Sequence, residues 1–305
     1  MEDTEPASHS GGPGDLDRAT AIFADVRPRL FGIAYRMLGS SSEAEDLVQD
    51  VWLRWQTCDR DTVTDPAAFL ATATTRLAIN VLQSARVRRE TYIGPWLPEP
   101  VDTSADPYLG AERGEALSLA VLFLLEKLSP TERAAYVLRE AFEYPYPQIA
   151  DVIQTSEVAV RQLVSRARKH LRSERRAPVT DAEQRRLLTA FLAAARVGDL
   201  AALEKILAAD VVSYSDGGGA VQASKFPVVG KSRVAKYVRA FAGRFWPGVR
   251  VEWTLMNGQL AAILYRDGRK IAVMSVDASD SGIYQIMWCL NPVKIIGFSH
   301  KPSTA

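Results

Sequence analysis

Apolar residues recur at helical spacing through the first third of the chain. After a polar stretch over 1–14 that reads as a disordered tail, Ile22, Phe23, Val26, Leu30, Phe31, Ala34, Tyr35 and Leu38 share one face of a 3.6-residue period. This predicts a helix that Pro28 kinks or restarts. Ser42 followed by Glu45 has capping-box spacing, and Leu47, Val48, Val51, Trp52 and Trp55 carry the stripe on, so a second helix is predicted over 43–57. Asp65-Pro66 opens a third, with Phe69, Leu70, Ala73, Leu77, Ala78, Val81 and Leu82 on its buried face. It runs into the basic segment 85–89.

Periodicity stops over 91–110, where Pro, Gly, Asp and Thr dominate, so this stretch reads as a linker. Trp96, Leu97, Pro98, Glu99 and Pro100 make it an unusual one, because apolar side chains held extended by prolines suit a segment that docks. Helical spacing returns over 111–127, and Ser129-Pro130-Thr131-Glu132 starts a further helix. A short helix over 146–153, a turn at 154–156 and a longer basic helix over 157–172 form a helix-turn-helix pattern. After Pro178 helices are predicted near 181–197, 199–208 and 232–243, with a first strand over 211–215. Later strands are separated by Asn257-Gly258, Asp267-Gly268 and Asp280-Ser281-Gly282, which are hairpin signals. The expected architecture is multidomain. Two all-α units over 15–90 and 111–176 precede an α+β unit over 181–300, an antiparallel meander covered by helices.

Composition narrows the chemistry. A chain of 305 residues with 47% hydrophobic content supports two or three cores. No apolar run reaches the roughly 18 residues of a membrane span, and the acidic start carries no secretory pattern, which reads as a soluble cytoplasmic protein without membrane partners. Cys58 and Cys289 are far apart, and His9, His170 and His300 are scattered, so neither a disulfide framework, a metal site nor a cofactor is indicated. The net charge is +1, but cations bunch over 76–89 and 161–176.

On the basic helix, Val160, Leu163, Val164, Ala167 and Leu171 turn inward and leave Arg161, Gln162, Ser165, Arg166 and Lys169 outward. Arg reads guanine and Gln reads adenine by bidentate bonds in the major groove, whereas the plain alternative is a solvated basic face. The first basic cluster holds Arg76, Asn80, Ser84, Arg86, Arg88 and Arg89, which suit phosphates and unpaired bases. Cations also favour helix C-termini without any ligand.

Residues 20–175 as a whole resemble the extracytoplasmic-function sigma factors of the sigma-70 family. Arg29 to Gly39 and Ala44 to Trp55 look like their region two, Phe69 to Asn80 like its promoter-melting helix, and Leu128 to Arg133 with Val160 to Arg168 like region four. The resemblance implies that Asp46, Gln49, Asp50 and Trp52 face the β′ clamp helices of core RNA polymerase, with the β flap a second contact. It further implies that Arg76, Asn80, Arg86, Arg88 and Arg89 meet the minus-ten element, and that Arg161, Gln162, Ser165, Arg166 and Lys169 read the minus-thirty-five element. Those elements lie about 70 Å apart, a span that roughly 22 linker residues cover only when nearly straight.

The unit over 181–300 resembles the SnoaL-like cone fold and matches the sigma subgroup that carries this extension. In that subgroup a Trp-Leu-Pro-Glu-Pro linker and an Asp-Gly-Gly-Gly-Lys turn are signatures. Here Trp96 to Pro100 is intact and Asp216, Gly217, Gly218 and Gly219 are present, while Ala220 stands at the Lys position and Asn291-Pro292-Val293-Lys294-Ile295 departs from Asn-Pro-Asp-Lys-Leu. The expectation is a non-enzymatic initiation factor, modulated by docking of Asp216 to Gly219 near Trp96 to Pro100. A small-molecule ligand of the cone is left open. Two alternatives remain: a stand-alone helix-turn-helix regulator with a ligand-sensing cone, and a cone enzyme fused to a DNA-binding module. For the second, Asp210, Tyr214, Asp216, Glu252 and Asp277 are the acid-base candidates.

Overall fold

The computed structural model describes residues 13–103, 118–174 and 176–298, apart from the side chains of 13–14 and 85–90. Helix α1 (Pro13–Leu38) is continuous through Pro28, where a kink or restart is expected, and it begins inside the stretch that reads as a tail. Helix α2 (Ser41–Thr57) begins earlier than its sequence signal, because Ser40 and not Ser42 is the N-cap; its hydroxyl accepts from the Glu43 amide. Helix α3 (Pro66–Glu90) completes the first bundle. Beyond the linker lie α4 (Leu119–Leu125), α5 (Pro130–Glu140), α6 (Tyr146–Ile153) and α7 (Glu157–Glu174). The Ser129 and Glu132 capping box opens α5, and left-handed Gln154 ends α6 so that α7 can turn away. The part of the expected 111–127 helix that precedes 118 lies outside the described residues.

The two helical units share one apolar core. Leu30, Ile33 and Met37 of α1 and Leu70 of α3 belong to the same buried cluster as Val137 and Phe142 beyond the linker and Ile149 of α6. Four arginines line the seam. Arg29 lies 5.0 Å from the Tyr144 ring centre and donates to the Phe142 carbonyl at 3.3 Å. Arg36, 1% exposed, stacks 5.1 Å from the Phe142 ring centre. Arg133 donates to the Met37 carbonyl and to Glu126, both at 2.6 Å, and burial pushes its guanidinium down to about 9. Arg76 donates to the carbonyls of Val152 at 2.8 Å and Asp151 at 2.9 Å, which closes the C-terminal end of α6.

The C-terminal unit is α+β. Helices α8 (Asp181–Val197), α9 (Leu200–Ile206) and α10 (Lys231–Phe245) cover one face of a six-stranded sheet of order β2-β1-β6-β5-β4-β3. Its strands are β1 (Leu207–Asp216), β2 (Val228–Val229), β3 (Arg250–Met256), β4 (Gln259–Arg266), β5 (Arg269–Ser279) and β6 (Gly282–Cys289). Strands β3 to β6 form the expected meander. The sheet is nonetheless mixed and not wholly antiparallel, because β1 pairs parallel to β6 with Tyr214 opposite Met287. That pairing also makes β1 longer than the 211–215 expected. Asn257-Gly258 and Asp267-Gly268 both have positive φ at each residue, as two-residue hairpin turns of the mirror-image type require. Short α11 (Pro292–Ile296) follows β6.

The sheet carries a core on each face. Leu188, Phe191, Val234 and Trp288 pack between sheet and helices, while Leu97 of the linker and Leu119 of α4 pack with Ile263, Val273 and Met287 on the other side. The linker is therefore a layer of the fold. Phe142 is 6% exposed and joins the two helical units. Phe142→Ala is expected to lower the unfolding free energy of the full chain by about 3 kcal/mol, read by urea titration.

Candidate nucleic-acid interface and linker clamp

The exposed face of α7 carries Arg161, Gln162, Ser165, Arg166 and Lys169, while Val160, Val164, Ala167 and Leu171 are buried beneath it. Alternating charge and apolar spacing on an 18-residue helix produces this division directly. Arg161 is held by Glu157 at 2.5 Å and stacks 4.4 Å from the Tyr146 ring centre. Arg166 lies 3.3 Å from Glu132. The arginines are 59% and 66% exposed, with Glu157 one turn away on α7 and Glu132 on α5, so these guanidiniums can exchange their partners for phosphate or base edges at little cost.

On α2, Asp46, Gln49 and Asp50 are exposed, and Leu53 beside them is 52% exposed. Trp52 differs, because it is half-buried and packs on Phe23 with ring centres 4.9 Å apart. It anchors the helix as much as it presents a surface. In the first basic cluster both Arg76 and Asn80 are exposed, and Arg76 also donates to α6. The backbone of Arg86, Arg88 and Arg89 is helical, and their side chains lie outside the described residues.

The linker is gripped from both sides. On one, the Glu99 carboxylate accepts from the Ser41 amide at 2.8 Å, the Ser42 amide at 3.2 Å and the Ser40 hydroxyl at 2.9 Å. An anion thus sits on the amino end of α2, where unpaired amides and the helix dipole favour it. The Glu99 amide donates to the Gly39 carbonyl at 2.8 Å, and the Tyr35 hydroxyl donates to the Glu99 carbonyl at 2.6 Å. Gly39 has φ +66, and a Cβ there would fall 2.9 Å from Trp96. Glycine is needed for both reasons.

On the other side Asp216, fully buried, accepts four donors. Its Oδ2 takes the Leu97 amide at 2.9 Å and the Lys294 ammonium at 2.7 Å, and its Oδ1 takes the Tyr92 hydroxyl at 2.5 Å and the Gly218 amide at 3.1 Å. Lys294 also donates to the Leu97 carbonyl and lies 4.2 Å from the Trp96 ring centre. Burial pulls its ammonium below the usual lysine value, against the opposing pull of Asp216. Asn291 donates to Tyr92 at 2.8 Å. Burial, and then the Asp216 acceptor, raise the Tyr92 hydroxyl. Farther along, Asn257 ties three segments, because its Oδ1 accepts from the Val101 amide at 3.1 Å while its side-chain amide donates to the Tyr35 hydroxyl at 2.7 Å. The Thr103 amide donates to the Leu255 carbonyl at 3.0 Å, so the linker pairs along the edge of β3.

Pro98 and Pro100 are buried within this layer, and Gly217 to Gly219 form the turn after Asp216. Ala220 is exposed, and the cation against Asp216 comes from Lys294 instead. Tyr35, Tyr92 and Asn257 carry no local sequence signal for these contacts. The acid-base candidates do not converge. Asp210 pairs with Arg176 and Glu252 with Arg250, Tyr214 packs on Phe123, and Asp277 lies 3.4 Å from Gln259. Burial pushes the Cys289 thiol up to about 12, which leaves it without nucleophilic character near neutrality. Among the described residues no group of three or more His, Cys, Asp or Glu could hold a metal ion, and no helix is long and apolar enough to cross a membrane.

Comparison with known proteins gives this geometry a context. Residues 22–88 match sigma-70 region 2 and residues 118–171 match sigma-70 region 4. The chain is 36% identical over 247 residues to the ECF RNA polymerase sigma factor SigJ of Mycobacterium tuberculosis, covering 79% of each chain. It is 34% identical over 204 residues to the probable ECF RNA polymerase sigma factor SigI of the same species, covering 66% of this chain and 70% of that one. The crystal structure of SigJ superposes with a TM-score of 0.74 at 32% identity, covering 92% of this chain and all of that one.

The Asp216 and Lys294 pair is buried at 0% and 7% side-chain exposure. Asp216→Ala is expected to cost about 3–5 kcal/mol by stranding a buried cation, and adding Lys294→Met should recover much of that loss. Urea unfolding of the three full-length proteins measures both effects.

Proposed function

The chain belongs to the extracytoplasmic-function sigma factors of the sigma-70 family and serves promoter-specific transcription initiation, and on that premise we propose that its own C-terminal domain holds it in a compact resting state. The observation that carries the proposal is the two-sided grip on the linker, with Glu99 on α2 and Leu97 on Asp216. A linker fixed in this way cannot also be the nearly straight tether that two promoter elements about 70 Å apart demand. Arg76 supports the same reading, because its Nε and Nη2 are bonded to α6 of the helix-turn-helix and must leave those carbonyls before they can serve the minus-ten element. Activation is then release of the linker, parting of the seam, and transfer of Arg76 to DNA.

In the open form, Arg161, Gln162, Ser165, Arg166 and Lys169 read the minus-thirty-five element. Arg76, Asn80, Arg86, Arg88 and Arg89 engage the minus-ten element. Asp46, Gln49 and Asp50 meet the β′ clamp helices while Trp52 braces α2, and the helix-turn-helix unit meets the β flap. The working compartment is the cytoplasm, where polymerase and promoter are found. No reaction is assigned to the chain itself, since the acidic residues of the cone are each engaged elsewhere.

The decisive comparison is promoter-directed RNA synthesis with core polymerase, using the full chain, Trp96→Ala and a truncation ending at Arg176. Both altered proteins are expected to initiate more strongly than the full chain at equal concentration. Equal activity of all three removes the regulatory reading while leaving the sigma activity intact.

A second prediction concerns the recognition helix. Arg161→Ala, Gln162→Ala and Arg166→Ala are expected to relax base preference at single positions, by about 1–3 kcal/mol each. Lys169→Ala and Arg172→Ala are expected to weaken binding evenly across sequences, with a salt slope shallower by about 1. Equal loss on all sequences for Arg166→Ala would remove it from the base readers.

A further inference from the structure

We propose that the cavity between α10 and strands β1 and β6 binds a neutral single-ring aromatic molecule, and that its occupancy strengthens the hold of Asp216 on the linker. A cavity of about 110 Å³ opens between α10 and strands β1 and β6. Its walls are mainly aromatic, from Phe241 and Phe245 of α10 with Trp246 and Trp288. Phe245 packs edge-on against Trp246 at 5.2 Å and 89°, and against Trp288 at 6.0 Å and 84°, so the walls brace one another. An apolar cavity of about 150 Å³ is known to admit benzene, and this one is of the same order.

The chemistry of the lining limits the ligand. No lining residue carries a formal charge, so a charged guest would lose its hydration without gaining a partner. The polar groups are the Ser215 hydroxyl, the Gln222 amide and the Tyr237 hydroxyl, which suit one hydroxyl or carbonyl substituent on the ring.

The same backbone carries the linker clamp. Side chains alternate along a strand, so Ser215 lines the cavity while Asp216, the next residue, faces the linker. Leu290 lines the cavity and its amide donates to the Asp216 carbonyl at 2.8 Å, while adjacent Asn291 bonds Tyr92. The Val221 amide donates to the Gly217 carbonyl at 3.1 Å, and a Cβ at Gly217 would fall 2.4 Å from the Val221 carbonyl oxygen. That turn is tightly packed. A guest resting on Ser215, Leu290 and Val221 therefore fixes the clamp from behind. A guest that fits this arrangement better than the released one favours the docked state, and docking favours the guest by the same factor.

The proposal rests on the regulatory reading only for its effect on transcription, so the test uses the full chain without polymerase. Para-fluorophenol is titrated and followed by fluorine NMR, and amide hydrogen exchange is read at Leu97 and Val101. The expected result is saturable one-to-one binding, with exchange at both amides slowed by about 5-fold or more. Trp96→Ala should weaken binding by the same factor. Gln222→Trp, which covers the mouth, and Val238→Phe, which fills the interior, should abolish it. If Val238→Phe does not fold, Gln222→Trp on the exposed turn decides alone. Absence of saturable binding, or binding that survives the folded blocking variants, overturns the site. Binding that leaves Leu97 and Val101 exchange unchanged overturns the coupling. Either result is independent of the transcription comparison.

Discussion

Glu99 and Leu97 stand two residues apart and serve different domains. The Glu99 carboxylate closes the amino end of α2, while the Leu97 amide closes on Asp216 at the end of β1. Glu99 makes its contact through its side chain and Leu97 through its backbone amide, so one extended stretch reaches both domains, and Pro98 and Pro100 hold that geometry at low ordering cost. The helical units and the sheet domain are therefore joined by a shared layer as well as by direct contacts such as Tyr35 with Asn257 and Phe123 with Tyr214. Remove that layer and the second core of the sheet, with Leu97 and Leu119 at its centre, has lost one of its walls.

The seam between the helical units carries buried charge, which suits the reversible opening proposed above. Arg36 and Arg133 are 1% and 3% exposed, and taking a guanidinium from water costs several kcal/mol that its hydrogen bonds only partly return. Among the described residues the Arg133 Nε has no hydrogen-bond partner. An all-apolar seam of the same area would bind more tightly and open less readily. Buried arginines also return to solvent as soluble groups, so parting the units leaves a surface that water accepts.

Much of the fold was legible because it rests on local signals. The Ser129 and Glu132 box, the apolar stripe of α7 and the Asn257-Gly258 and Asp267-Gly268 turns each act within a few residues. The parallel pairing of β1 with β6 was not legible, since it joins residues such as Tyr214 and Met287 across most of the domain. Trp96 and Leu97 stand out as apolar residues in a polar stretch, and Asp216 by its glycine turn. The contacts of Tyr35, Tyr92, Asn257 and Lys294 do not, even though Asn257 lies in a hairpin signal and Lys294 in the Asn291 to Ile295 motif, because those bonds span separations of up to 222 positions. Arg76 is the instructive case. Its place in a basic cluster points to DNA, whereas in this conformation it caps α6.

The edge of β3 carries one more consequence. While the linker is docked, Val101 and Thr103 pair along that strand, beside Trp253 and Leu255, which are 38% and 46% exposed. An undocked linker bares a flat sheet edge with two large apolar side chains, the kind of surface that recruits strands from other molecules. Under the proposed release, the opened factor would therefore carry a strand edge for which polymerase and further copies of the chain compete.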